Sequence, residues 1–244
     1  MHAIRCLSLC LVAAFGWTPA VRADEPVDLI LVLAADVSRS VDAAKFQLQR
    51  DGYARAFSDP RVLRAITSGL HGRIAVSFVE WSGPVSQKLV IDWTVIKDSE
   101  TAQGFGDRLI EAPRSFADST SISAGIDFAM SQFGRAPYQS GRRTIDVSGD
   151  GDNNSGRDVR RARDEAVAEG VTVNGLVILT DPALSSRHTN PPGGLANYYR
   201  ENVIGGPDAF VMVAEDFNSF GRAITIKLIA EIAHASIERR LVAR

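Results

Sequence analysis

Three short polar clusters fall at the ends of apolar runs or on neighbouring loops: Asp36, Ser38 and Ser40 in "DVSRS", Asp118, Ser119 and Thr120 in "DST", and residues 148–154 in "SGDGDNN". Alternate residues of an extended segment point the same way, so Asp36, Ser38 and Ser40 can present three oxygens to one point. Hydroxyls alone bind a cation weakly, so charge must come from carboxylates, here Asp36 and Asp150. No cysteine lies beyond Cys10, and no histidine falls in these clusters. The remaining donors are hard oxygens, which suit Mg²⁺ or Mn²⁺ rather than Zn²⁺ or Cu²⁺.

Such a site needs elements that bring the clusters together. Residues 29–35 are apolar throughout and read as a strand buried on both faces. The spacing predicts a helix over 42–57, with Phe46, Tyr53 and Phe57 on one face. Strands follow at 73–81 and 87–93, joined by the turn Ser82-Gly83-Pro84. Helices are expected over 99–111 and 121–133, a strand over 143–148, and a helix over 157–169 that ends at Gly170. Strands at 171–179 and 210–213 and a long final helix over 217–239 complete the pattern. Strand–helix alternation of this kind predicts a mainly parallel sheet covered on both faces, a three-layer α/β/α doubly wound fold. The 87–93 strand follows a tight turn and is expected at the edge, antiparallel. The loose stretch 180–207 is rich in Pro, Gly and Asn, with a short helix expected near 196–203. In open sheets of this type, sites form at the carboxyl ends of strands, where the first and third clusters fall.

The residues Asp36-Val37-Ser38-Arg39-Ser40 resemble the Asp-x-Ser-x-Ser motif of von Willebrand factor type A domains. In that family the motif opens a metal-ion-dependent adhesion site, which also takes a Thr before a helix and an Asp from an Asp-Gly pair after a central strand. Thr120 and Asp150 stand in those places and in that order. The resemblance implies that Ser38, Ser40 and Thr120 touch the ion directly or through water, while Asp36 and Asp150 supply charge and hold waters. It also implies one open position, completed by a Glu or Asp of a protein partner. The chain is most similar to small exported bacterial members of unknown function. It departs from the family pattern in Asp152 and Asn153, beyond the usual Asp-Gly. Asp146, inside an expected strand, reads as a satisfied structural carboxylate or as a break in that strand.

Other chemistries fit less well. An EF-hand over 150–161 fails, because Ser155 stands where Gly is needed and Arg161 where Glu is needed. A Mg²⁺-dependent phosphohydrolase of the haloacid dehalogenase type would use Asp36 as its nucleophile, with "GDGDNN" close to the later motif of that class. It needs a second Asp as general acid and base where this chain has Ser38, a weak group for that role. A stabilising metal without a partner is the further alternative. No nucleophile elbow is present. His71, His188 and His234 read as surface or packing residues, and Trp81 and Trp93 as packing. The pair Tyr198-Tyr199 would serve as a partner anchor if exposed beside the site.

Residues 1–23 combine Arg5, a mostly apolar run over 6–17 and the small-residue ending Val21-Arg22-Ala23, the pattern of a secretory signal peptide. The run is too short to span a bilayer, which needs about 20 residues. The expected mature chain is one domain over 24–244, periplasmic or secreted, without cysteine. It holds 25 basic residues against 29 acidic ones, a net charge of −4. That balance is unlike a nucleic-acid binder, and no later run is long and apolar enough to cross a membrane.

Overall fold

The computed structural model describes residues 24–180 and 186–242, with side chains through 233. The expected signal peptide, residues 181–185 of the loose stretch and the His234 side chain lie outside the described residues. In chain order the strands are β1 (Glu25–Pro26), β2 (Ile30–Asp36), β3 (Ile74–Trp81), β4 (Gln87–Ile96), β5 (Tyr138–Gln139), β6 (Arg143–Gly149), β7 (Val171–Ile178) and β8 (Val211–Ala214). The helices are α1 (Ala43–Ser58), α2 (Pro60–Thr67), α3 (Ser99–Glu111), α4 (Ile122–Phe133), α5 (Val159–Ala168), α6 (Leu195–Asn202) and α7 (Phe220–Val242).

The main sheet has the order β4-β3-β2-β6-β7-β8, parallel throughout except for the β3–β4 pair. The expected doubly wound sheet and its antiparallel edge are therefore as read. A two-residue parallel pair, β1 with β5, stands apart from it. On β2 and just before it, the side chains of Leu29, Leu31, Leu33 and Ala35 enter one core, with α1, α2, α3 and α7. Those of Val32 and Ala34 enter the other, with α4, α5 and α6. The period of two along a pleated strand divides one apolar run between two cores.

Local chemistry sets the helix starts. The side chain of Asp42 caps α1 by accepting from the Lys45 N–H at 2.9 Å. Asp98 and Thr101 form a capping box at α3. Asp158 caps α5, so this helix begins two residues later than expected, and Gly170 follows its end at φ 76°. Helix α2 was not expected. Asp59 at its N-cap and Pro60 in its first turn are ordinary start signals, and Val62 and Ile66 give it a buried face. Strand β4 runs three residues past the expected end, because Thr94, Val95 and Ile96 still pair with β3.

Two ion clusters lie inside the cores. Arg50 pairs with Glu80, both essentially inaccessible, and Glu80 Oε2 accepts from the Ser115 N–H at 2.8 Å. Asp146 on β6 faces Lys227 of α7, Nζ to Oδ2 2.8 Å, and Lys227 also pairs with Glu231 one turn on. The strand is thus regular and Asp146 has a buried counter-ion, in line with the structural-carboxylate reading. Burial pushes the Asp146 carboxyl up to about 7; Lys227 pulls it down and Glu231 pushes it up. The folded state therefore holds a proton that the unfolded chain releases between about pH 4 and 7. Stability from this group is present below that window and falls as pH rises through it, by no more than about 1.4 kcal/mol per pH unit. Exposed carboxylates held low by Arg61, Thr101, Arg160 and Ser219 lose their contribution only at lower pH. Urea midpoints in chelator should rise from pH 7.5 to pH 5.5, and Asp146→Asn should remove part of that rise, the raised Asp36 carboxyl carrying the rest. An unchanged slope in the variant would show that Asp146 does not carry the proton.

Candidate metal centre

The sheet order reverses beside β2, because the chain leaves it for β3 on one side and returns to β6 on the other. Crevices form at the carboxyl end of such a switch point. Asp36 ends β2 there, and Asp150 follows β6. Both carboxylates are fully buried.

The "DVSRS" segment holds its shape through its own polar groups. Asp36 Oδ1 accepts from the Ser38 N–H at 2.7 Å. Ser38 Oγ and Ser40 Oγ lie 3.2 Å apart, and Ser40 Oγ donates to Asp150 Oδ1 at 2.5 Å. Arg114 Nη2 donates to the carbonyls of Val37 and Ser38 at 2.7 and 2.8 Å. The Arg39 N–H donates to the Asp118 carbonyl at 2.9 Å. These bonds, with the Glu80–Ser115 contact, tie the segment leading to Thr120 against β2 and β3.

Thr120 is almost fully buried, while Asp118 beside it is exposed. Its backbone is gripped by Asn154: Thr120 N–H donates to Asn154 Oδ1 at 3.0 Å, and Asn154 N–H donates to the Thr120 carbonyl at 3.0 Å. Asn153 Oδ1 accepts from the Ser123 N–H at 3.0 Å and so pins the first turn of α4. The residues beyond Asp-Gly thus lock the second cluster to the third. Asp36, Ser38, Ser40 and Asp150 meet directly, and Thr120 joins through this loop.

Two neighbours were not legible as site residues. His188, expected to be a surface or packing residue, sits in the site with Nε2 3.1 Å from Thr120 Oγ1 and Nδ1 bonded to Asp152 Oδ1. Tyr199 is wholly buried, so it cannot anchor a partner; Tyr198 is half-buried and accepts from the Asn153 N–H at 3.2 Å. A Cβ added to Gly149 would lie 2.6 Å from Tyr199 Oη and 3.1 Å from Asp36 Oδ2. Only glycine lets the phenol reach under the carboxylate, and the Tyr199 hydroxyl has no hydrogen-bond partner.

The two carboxylates are poorly compensated. Burial, and then repulsion from Asp150, push the Asp36 carboxyl up to about 7. Asp36 Oδ2 and Asp150 Oδ2 are both buried without hydrogen-bond partners. The nearest cation is Lys45, whose Nζ donates to the Ser40 carbonyl at 2.8 Å and stands 3.5 Å from Asp150 Oδ2. One ammonium at that distance does not satisfy two buried carboxylates. Open carboxylate oxygens beside three hydroxyls are the donor set of a hard divalent ion. No cluster of three or more His, Cys, Asp and Glu suited to a metal occurs among the described residues.

This sheet, with its helices and switch-point loops, is the fold of von Willebrand factor type A domains. Proximal thread matrix protein 1 of the mussel byssus superposes with a TM-score of 0.63 at 15% identity, over 86% of this chain and 49% of that one. The same protein with zinc occupying its metal-ion-dependent adhesion motif gives 0.59 at 16% identity, over 86% and 49%. A von Willebrand factor type A protein from Catenulispora acidiphila gives 0.58 at 14%, over 84% and 43%. The chain thus spans about half the length of the proteins it matches. It belongs to the family described as "Protein of unknown function (DUF1194)", whose pattern matches residues 26–236. No curated protein matches it. No helix of the described residues is long and apolar enough to cross a membrane.

Proposed function

We propose that Asp36, Ser38, Ser40, Thr120 and Asp150 hold a divalent cation, Mg²⁺ or Mn²⁺, and that this cation receives an Asp or Glu side chain of a protein partner. The chain is then an exported, non-enzymatic binding domain over 24–244, periplasmic or secreted after loss of the 1–23 signal peptide. The observation that supports this most is the pair of buried, unpartnered oxygens, Asp36 Oδ2 and Asp150 Oδ2.

A bound ion of this class supplies a Lewis-acid centre that prefers oxygen anions. The residues do the rest. Asp36 and Asp150 provide the charge, and the three hydroxyls provide neutral oxygens. Where Asp36 and Asp150 act through held waters, the ion keeps few direct anionic ligands, which favours an added carboxylate from outside. The neighbouring β3–β4 turn carries Val85, 91% exposed, and is joined to the site loops where Ser121 N–H donates to the Ser82 carbonyl at 2.7 Å. An apolar side chain presented there suits a protein partner better than a small solute.

The test is a calorimetric titration of Mg²⁺ and of Mn²⁺ into the metal-stripped protein, beside Asp150→Ala. One saturable site that is lost in the variant is the expected result. A folded protein that binds neither ion would sink the proposal. Release of captured partners by chelator, with no turnover of a phosphate ester, would separate a binding domain from the phosphohydrolase alternative. Capture that ignores chelator would favour the purely stabilising metal.

A further inference from the structure

His188 reaches Thr120 from a loop 68 residues further along the chain. We propose that Asp152 and His188 act as a positioning pair for Thr120: His188 accepts a hydrogen bond from the Thr120 hydroxyl and so turns the oxygen lone pairs toward the cation. The proposal rests on the cation site above and extends it to two residues outside the five ligands.

Asp152 holds His188 twice. Its carboxylate bonds ring Nδ1, and its N–H donates to the His188 carbonyl at 3.1 Å. The ring lies on Gly151, where an added Cβ would come within 2.2 Å of Nε2. The imidazole therefore has a fixed place and a fixed tilt. A neutral imidazole carries one N–H and one lone pair. A carboxylate only accepts, so the ring proton lies on Nδ1 and Nε2 is the acceptor. Asn154 Nδ2 also approaches Nδ1, at 3.3 Å. Its amide orientation is set elsewhere, by Oδ1 accepting from Thr120 N–H, so Nδ2 is a donor that would favour the opposite tautomer; the charge-assisted bond from Nδ1–H to the Asp152 carboxylate is the stronger and sets the ring.

The Thr120 hydroxyl has one proton and two lone pairs. At 3.1 Å from Nε2, its proton is directed into the ring nitrogen. Both lone pairs are then free for the cation, and no hydroxyl hydrogen points at a positive charge. Without the ring, the Thr120 O–H bond turns freely about Cβ–Oγ1 and must be oriented by the ion itself. Outer partners of this kind are worth about 10–100-fold in metal affinity.

The decisive experiment compares wild type, His188→Ala, His188→Gln and Asp150→Ala. It uses Mn²⁺ calorimetry and electron spin resonance of the bound Mn²⁺, with thermal melting in chelator as a folding control. His188→Ala should weaken Mn²⁺ binding about 10-fold or more at unchanged melting temperature. His188→Gln, whose amide oxygen can accept the same proton, should regain most of that loss. Wild-type affinity in His188→Ala would overturn the proposal. So would a loss that His188→Gln does not recover, or nitrogen coupling to the bound Mn²⁺, which would make the ring a ligand. Failure of wild type itself to bind Mn²⁺ is a different result: it removes the cation site, and the positioning pair with it.

Discussion

Asp36→Asn raises the stability of the metal-free protein and abolishes its response to Mn²⁺. Both effects follow from one carboxylate. Asp36 is fully buried, it is repelled by Asp150, and its Oδ2 has no hydrogen-bond partner. Asparagine keeps the oxygen that accepts from the Ser38 N–H and removes the charge. Buried carboxylates without full compensation cost several kcal/mol, so relief of about 1–3 kcal/mol is expected near pH 7.5. For a domain of this size that is a rise of roughly 2–10 °C in melting temperature. In wild type, Mn²⁺ at about 100 times its Kd should add about 2.7 kcal/mol; in Asp36→Asn it should add nothing. Thermal melts in chelator and in Mn²⁺ read both effects. A variant less stable than wild type in chelator would mean that Asp36 serves the fold rather than a ligand. A variant that still melts higher with Mn²⁺ would place the ion elsewhere.

Lys227→Met should have the opposite character, a large loss of stability with no bearing on the cation. Lys227 is inaccessible and bridges Asp146 and Glu231, with Phe210 under its ammonium and Asn174 Nδ2 donating to Glu231 Oε1 at 2.8 Å. Methionine fills similar volume but leaves two buried carboxylates facing each other. Removing one member of a buried pair costs about 3–5 kcal/mol, or roughly 10 °C here. The partner substitution supplies the control. Asp146→Asn in the Lys227→Met background should recover part of the loss, because these residues are in contact and their effects are not additive. A loss under about 1 kcal/mol, the scale of an exposed ion pair, would show that water reaches the cluster.

The two cases separate kinds of buried charge that look alike in a sequence. Asp36, Asp146 and Asp150 are each an aspartate in or beside a strand. Asp146 has a lysine from a helix far along the chain, and Asp36 has an open oxygen. The first is part of the scaffold, and the second is the oxygen on which the proposed cation site rests.

Much was legible without coordinates because it is local or periodic. The apolar run before Asp36 can only be a doubly buried strand. Alternation of strands and helices dictates a covered parallel sheet, and the tight turn after Trp81 dictates its antiparallel edge. "DVSRS", Thr120 and Asp150 were readable as clusters that meet at one end of the sheet, since each stands at a strand end or before a helix. Helix α2 was legible too, in Asp59-Pro60, though not read. Tertiary structure alone decided the surroundings of that set. His188 and Thr120 are brought together by loop closure, and no periodicity or cap encodes a contact across that separation. Tyr199 lies under Asp36 only because Gly149 lacks a side chain, and Lys227 meets Asp146 only when α7 packs on the sheet. Ligand types are written in the chain, because chemistry belongs to residues. Their protonation, orientation and counter-charges belong to neighbours, and neighbours exist only after the chain has folded.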